Sequence, residues 1–170
     1  MAVKSIEDLF VHELSDIYSA EKQLTRALPK LARASADPKL AEAFESHLEE
    51  TNGQVERIDK IVDTLELRLK RIKCTAMEGL VEEGKEIIES VEKGPLRDAA
   101  LIAGAQKVEH YEIASYGTLA ALAKQLGYDD ALPLILDTLK EEKGADDKLT
   151  KLAEQGGNQR ASEQREAKRA

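Results

Sequence analysis

The stretch AQKVEHYEIASYG, residues 105–117, decides the fold class and also raises the main functional question. It lies in a predicted helix that runs from Gly94-Pro95 to about Gly127. Apolar residues at spacings of three or four mark the buried face of this helix: Ile102, Ala105, Tyr116, Leu119 and Ala123. The same face carries Glu109 and Glu112. Two acids three residues apart on a buried face require partners from other parts of the fold.

Helical signals account for most of the remaining chain. A first helix is predicted from Ser5 to about Ala34, a second from Asp37-Pro38 to about Leu69, and a last one from Asp129 or Asp130 to about Ala153. The long connection over residues 70–94 contains a short amphipathic helix. Two helix pairs with tight turns, joined by a long crossover, predict an all-α, ferritin-like four-helix bundle with a short extra helix in the crossover.

The same pattern predicts a single bundle domain over residues 1–155, followed by a disordered polar tail over residues 156–170. The tail GGNQRASEQREAKRA contains four basic and two acidic residues. A weak arm that binds DNA or a protein partner is the alternative interpretation of this segment.

The composition excludes several function classes. A formal net charge of −8 over 170 residues argues against a general nucleic-acid-binding protein, since phosphate binding requires clustered lysine and arginine. Cys74 is the one cysteine, so no internal disulfide can form. No signal peptide is recognisable, and no apolar run approaches the roughly 18 residues of a membrane span. The sequence therefore predicts a cytoplasmic protein without membrane contact.

Acidic residues also interrupt the apolar faces of the other predicted helices. Glu21 lies in the middle of the first helix, and Glu50 lies beside the apolar face of the second. Glu142 and Asp146 lie on the apolar face of the last helix. At a rise of about 1.5 Å per residue, Glu21 and Glu50 are equally far from the turn between their helices, and the same holds for Glu112 and Glu142. Each half of the bundle therefore places its acids in one layer, although the long crossover leaves open which layers face each other.

Buried acids at such positions require a counter-charge, because burying one unpaired charge costs several kcal/mol. The facing helices offer no lysine or arginine closer than Arg57, at the margin of the second helix. Oxygen ligands from four helices suit two iron ions, or manganese as the alternative. The predicted ligands are six carboxylates, Glu21, Glu50, Glu109, Glu112, Glu142 and Asp146, with His47, Gln54 and Tyr116 as supporting residues or additional ligands. The alternatives are solvated acids, a hydrogen-bonded core histidine and a tyrosine that only packs.

Four segments make the chain similar to a known family: IEDLFVHELSDIYSAEKQLTRALPKLARAS, FESHLEETNGQVERID, RDAALIAGAQKVEHYEIASYGTLAALAKQLGY and LKEEKGADDKLTKLA. They resemble the YciF family of bacterial stress-response proteins, over nearly the whole chain apart from the tail. The resemblance implies a ferritin-like, rubrerythrin-related bundle that is usually dimeric and is made under stress, in a family of unknown function. It also implies that the acids of ferritin-like metal sites correspond to Glu21, Glu50, Glu109 or Glu112, and Glu142.

One departure from the ferritin-like pattern bears on the reaction. Ferritin-like di-metal proteins usually have Glu-x-x-His on the second and fourth helices, whereas Gly53 follows Glu50 and Ala145 follows Glu142 at that spacing here. Three functions stay open. The chain could be a di-metal oxidoreductase, of the ferroxidase or catalase/peroxidase type, that acts on peroxide, oxygen or ferrous ion. It could instead be a metal-binding stress protein without turnover, or a structural, partner-binding dimer.

Overall fold

Helices form almost all of the structure. The computed structural model describes residues 3–167, and no β-strand occurs among them. The elements are α1 (Ile6–Ala34), α2 (Pro38–Thr64), α3 (Thr75–Ser90), α4 (Pro95–Leu126), α5 (Leu132–Leu152), a kinked turn (Ala153–Gly157) and α6 (Asn158–Ala167). The predicted all-α bundle is confirmed, with α1, α2, α4 and α5 as its four helices and α3 as the extra helix in the crossover.

Local capping signals set most helix ends. The Ser5 hydroxyl accepts a hydrogen bond from the Asp8 amide at 3.1 Å and begins α1. Asp37 caps α2 through the Lys39 amide at 2.8 Å. Gly127 ends α4 in the left-handed region at φ 70°, where a residue without Cβ meets no steric penalty. Three of the predicted helix boundaries therefore follow from signals within a few residues of the boundary itself.

The two helix pairs pack side by side. Helix α1 contacts α2 and α4, while α5 contacts α4 and α2, so α1 and α5 lie on opposite corners of the bundle. Phe10 near the start of α1 packs edge-on against Tyr128 just after α4, with ring centroids 5.2 Å apart. At the other end, the buried Asp98 carboxylate of α4 accepts hydrogen bonds from the amides of Ala36 and Asp37, at 2.7 and 2.8 Å. Helices α1 and α4 are therefore antiparallel, and contacts at both ends fix their relative level.

The crossover begins earlier than the sequence predicts. Helix α2 ends at Thr64 rather than near Leu69, because Glu66 adopts a left-handed conformation at φ 51° and the following residues run extended along α1. The amides of Lys70 and Cys74 donate to the hydroxyls of Ser15 and Ser19, both at 2.9 Å. Side chains of α1 thus satisfy two backbone amides of the extended connection between α2 and α3.

The start of α5 also differs from the prediction. Neither Asp129 nor Asp130 caps the helix, which begins after Ala131 without a side-chain hydrogen bond. Instead, the carbonyl of Tyr128 accepts from the amides of Ala131 and Leu132, at 3.1 and 3.0 Å. A tight turn after α4 therefore leads directly into α5 and replaces the predicted cap.

The predicted disordered tail differs from the structure over most of its length. Residues 158–167 form α6, which packs against α4 after the kink at Gly156, where φ is 113°. Arg160 forms an ion pair with Asp37 at the α1–α2 turn, with Nη2 2.5 Å from Oδ2. These contacts are distant in sequence, so composition alone could not predict them. Residues 168–170 lie outside the described residues.

Candidate metal centre

A layer of ionisable side chains is buried in the middle of the bundle. The side chains of Glu21, Glu112 and Glu142 are fully buried, Glu109 is 2% exposed, and His47 is 6% exposed. Helix α1 supplies Glu21, α2 supplies His47, α4 supplies the two acids of the opening stretch, and α5 supplies Glu142. The side chains of all four bundle helices therefore meet in one layer, a meeting of the two halves that the depth argument left open.

Four of these residues converge closely enough to share one ion. His47, Glu109, Glu112 and Glu142 each offer a ligand atom, and these four atoms all lie within 4.8 Å of one another. His47 Nε2 is 3.4 Å from Glu109 Oε1 and 3.8 Å from Glu142 Oε2. One imidazole and three carboxylates form a donor set that suits iron or manganese.

Neighbouring polar side chains orient two of the acids. The Tyr116 hydroxyl donates to Glu21 Oε1, and the Gln54 amide donates to Glu142 Oε1. The same amide also donates to Glu141 Oε2 at 3.1 Å. Gln54 and Tyr116 are themselves buried, so their positions are fixed by packing. Both therefore lie next to the acids, and the role toward a metal that the sequence predicts for them stays a prediction.

Seven atoms of the cluster are buried without a hydrogen-bond partner in the described structure: Glu21 Oε2, His47 Nε2, Gln54 Oε1, Glu109 Oε2, both Glu112 oxygens and Glu142 Oε2. Buried polar atoms are almost always paired, and each unpaired one costs about 1–3 kcal/mol. Their concentration at one point is the feature of the site that most needs a physical explanation.

Burial and mutual repulsion raise the pKa values of the buried acids. Burial raises the pKa of Glu21 to about 8, and the neighbouring Glu142 carboxylate adds to the increase. Burial likewise raises the pKa values of Glu109 and Glu112 well above their usual range. Without a cation, protons must therefore neutralise part of the cluster at neutral pH.

The pKa of His47 also rises, but in this case the rise favours the charged form of the side chain. Burial by itself would lower its pKa, but the carboxylates of Glu109, Glu50 and Glu142 outweigh burial and raise the pKa to about 9. Metal-free His47 is therefore cationic at neutral pH and pairs with the surrounding acids. One imidazolium cannot balance four neighbouring carboxylates, so the partial neutralisation by protons is still required.

Arg57, the nearest basic residue in the sequence prediction, does not pair with the buried acids. Its guanidinium forms a bidentate ion pair with Glu141, with N–O distances of 2.5 and 2.6 Å, and it also donates to Thr138 Oγ1 at 3.1 Å. Within residues 3–167, no lysine or arginine forms an ion pair with the buried cluster.

Three of the six predicted ligands lie outside the converged group of four: Glu21, which is buried beside it, and Glu50 and Asp146. The side chain of Glu50 is 42% exposed, and its Oε2 lies 3.3 Å from His47 Nδ1 on the far side of the ring. Asp146 faces α4, where Oδ1 accepts from Gln106 at 3.3 Å and Oδ2 lies 3.3 Å from His110 Nε2. Glu50 lies beside the apolar face of α2, and Asp146 lies off the centre of the apolar face of α5, so a small rotation of either helix directs the side chain away from the cluster.

Sequence reasoning underrated one residue and missed another. His47 was predicted as a supporting residue or extra ligand, yet it stands at the centre of the cluster. The signal was present, because His47 lies directly on the apolar face between Phe44 and Thr51, whereas Glu50 lies beside it. Glu141, which pairs with Arg57 and Gln54, carried no signal that separates it from other acids on the exposed side of α5.

No helix within residues 3–167 is long and apolar enough to cross a membrane.

The chain is 64% identical to protein YciF of Escherichia coli strain K12 over 162 residues, which covers 95% of this chain and 98% of that protein. The crystal structure of the E. coli stress protein YciF superposes with a TM-score of 0.88 at 65% identity, covering 91% of this chain and 98% of that one.

A solved structure of lower sequence identity has the same fold. YcfI from Rhodopseudomonas palustris superposes with a TM-score of 0.84 at 43% identity, covering 87% of this chain and 94% of that one. The family model for DUF892, a domain of unknown function, matches residues 5–162. With the helical bundle, its buried cluster and these likenesses taken together, the chain belongs to the DUF892 family, which it shares with the stress protein YciF.

Proposed function

We propose that this protein is a stress protein that binds iron or manganese in the buried cluster and uses the metal for redox handling of peroxide, oxygen or ferrous iron. The supporting observation is the occurrence of seven unpaired buried polar atoms from four helices in one layer of the bundle, where ligand atoms of four residues lie within 4.8 Å of one another. Such an arrangement is costly in a metal-free core, and a multivalent cation would satisfy most of these atoms at once.

The donor set fits one ion directly and offers ligands for a second. His47, Glu109, Glu112 and Glu142 would hold the first ion. Glu21 lies beside Glu112 and Glu142 and would contribute to the second. The cluster contains one imidazole, so this site would be richer in oxygen ligands than Glu-x-x-His sites. Oxygen ligands stabilise the higher oxidation state of iron or manganese, which favours reactions in which the metal donates electrons.

When bound, iron or manganese supplies one-electron exchange with oxygen species. The chain's own residues would bind and orient the metal in a largely buried site, since all five metal-facing side chains are at most 6% exposed. Gln54 holds one oxygen of Glu142, and Tyr116 holds one oxygen of Glu21, so each acid presents its other oxygen to the centre. The Tyr116 hydroxyl also keeps a proton next to the site, because burial and the Glu21 carboxylate raise its pKa well above the usual value.

Metal content tests the proposal. Protein purified without tag or chelator should contain about two iron or manganese ions per chain, and the Glu21→Ala/Glu142→Ala double variant should lose them. Asp146→Ala is the matched control, because Asp146 was predicted as a ligand but lies outside the cluster, so its metal content should be unchanged. Absence of metal from the wild type after anaerobic reconstitution would refute the proposal and favour the structural, partner-binding alternative.

Metal binding without turnover is the second candidate. The observation that favours it is the position of Glu50, which leaves α2 without a carboxylate in the cluster. Consumption of peroxide, or oxygen-dependent oxidation of added ferrous ion, by the metal-loaded protein separates the two candidates. The cytoplasmic location and the homodimer stay predictions, and size-exclusion chromatography with light scattering tests the dimer.

A further inference from the structure

A pocket between α2 and α5 leads from the protein surface to the buried cluster. Its volume is about 270 Å³. Its inner end is formed by His47 and Glu109, which are both more than nine-tenths buried and have unpaired polar atoms. Its outer end is lined by the exposed residues Glu50 and Lys148. The cluster is therefore connected to solvent along one side of the bundle.

Small residues keep this path open. Ala43 on α2 and Gly144 and Ala145 on α5 line its walls and project little or no side chain into it. A water molecule occupies about 30 Å³ in the liquid, so a divalent cation with six waters requires roughly 180 Å³. The pocket is large enough for such a hydrated ion, whereas an imidazole at position 145 would occupy part of this space.

Acidic and basic groups are arranged along the pocket from its outer to its inner end. Glu50, Glu109 and Glu141 contribute three carboxyl groups, and Lys148 and His47 contribute an ammonium group and an imidazole. Arg57 already neutralises Glu141 through its bidentate ion pair. Glu50 is therefore the acid at the outer end that can meet an incoming ion. Its Oε2 lies 3.3 Å from His47 Nδ1, which places it directly next to the cluster.

We propose that this pocket is the entry path for hydrated divalent cations, and that Glu50 is a positioning residue that captures the ion and passes it to His47 and Glu109. This inference rests on the proposed function, because it concerns how the same site is loaded. It accounts for the position of Glu50, which the sequence predicts as a ligand and the structure places at the mouth. Lys148 opposes entry, since its charge lies beside the same path.

Stopped-flow loading of metal-free protein with Co²⁺, followed by visible absorption, tests this inference without any catalytic assay. Glu50→Gln should slow loading by about three- to tenfold at low ionic strength, the effect of one unit charge close to the path of a divalent ion. Lys148→Gln should accelerate loading. Glu49→Gln is the matched control, because Glu49 is an exposed neighbour that does not line the pocket, and its loading rate should equal that of the wild type.

The final amount of bound Co²⁺ should be the same in the wild type, Lys148→Gln and Glu49→Gln, because neither substitution changes a residue of the converged cluster or Glu50. Ala145→Leu tests the path itself and should slow loading at every salt concentration, with circular dichroism confirming that the variant is folded. Equal loading rates in the wild type and Glu50→Gln, or equal slowing by Glu49→Gln, would overturn the inference. Failure of the wild type to bind Co²⁺ at all would instead contradict the proposed function.

Discussion

Replacing Glu112 with methionine should stabilise the metal-free protein while it abolishes stabilisation by metal. Glu112 is fully buried, and neither of its carboxylate oxygens has a hydrogen-bond partner in the described structure. Methionine is also unbranched, adapts to irregular spaces and forms helices about as well as glutamate. The substitution therefore removes an unsatisfied polar group without requiring α4 to change its course.

The magnitude follows from the cost of the buried group. An unpaired buried polar group destabilises a protein by about 1–3 kcal/mol, and replacing buried ionic groups by apolar ones often recovers 1–4 kcal/mol. For a chain of this size, each kcal/mol changes the melting temperature by about 2–4 °C. We therefore expect metal-free Glu112→Met to melt about 3–10 °C above the metal-free wild type.

Thermal unfolding followed by circular dichroism at 222 nm, with and without chelator, measures both effects. The wild type should gain about 2.7 kcal/mol when free metal is one hundred times its dissociation constant, and the variant should gain little. Glu45→Met, on the exposed side of α2, is the control and should change neither quantity appreciably. A metal-free variant that melts below the wild type, or one that keeps the full metal response, would refute the reasoning.

Three further predictions concern pH, the bundle ends and the last helix. The free energy of unfolding of the metal-free protein, measured by urea titration, should decrease as pH rises from about 5 to 9. In the folded state the pKa of Glu21 is about 8 and that of His47 is about 9, whereas their ordinary values are 4.5 and 6.5. Over this pH range the folded state therefore holds protons that the unfolded state has released. Excess metal should weaken this dependence, and a stability maximum at pH 9 in chelator would contradict the assignment. Asp98→Ala should lower the free energy of unfolding by about 2–3 kcal/mol, because it leaves two amides of the α1–α2 turn without their acceptor. A decrease below about 0.5 kcal/mol, the size of an ordinary surface substitution, would contradict this role of Asp98. Gly157→Ala should detach α6 and expose it to limited proteolysis, because its Cβ would lie 2.6 Å from the Leu152 carbonyl oxygen, whereas Gly144→Ala meets no atom within 4 Å and should leave the cleavage pattern unchanged.

Much of the candidate centre could be predicted because its determinants are local. Helical periodicity placed Glu21, Glu109, Glu112 and Glu142 on buried faces, and residue counts from the turns gave a common level for the acids within each helix pair. Capping residues such as Ser5, Asp37-Pro38 and Gly127 set helix ends within one or two positions. Each of these signals acts over a few residues and needs no knowledge of the rest of the fold.

The orientation of residues away from the centre of an apolar face could not be predicted in the same way. Glu50 and Asp146 lie beside the centre of their helices' apolar faces, and each residue step turns the side chain by about 100° around the helix axis. A modest rotation of the whole helix therefore decides whether such a residue faces the cluster or the surface. That rotation is set by packing against neighbouring helices, which put His47 inside and both of these acids outside.

The sequence by itself determined four amphipathic helices, their pairing by tight turns, and a common level for the acids within each pair. It could not determine how the two pairs meet, because a crossover of about thirty residues permits many relative levels. The tertiary structure decided this through the Asp98 contacts at one end of α1 and α4 and the Phe10–Tyr128 contact at the other. These contacts join residues more than sixty positions apart, and they bring two separate layers of acids into a single cluster.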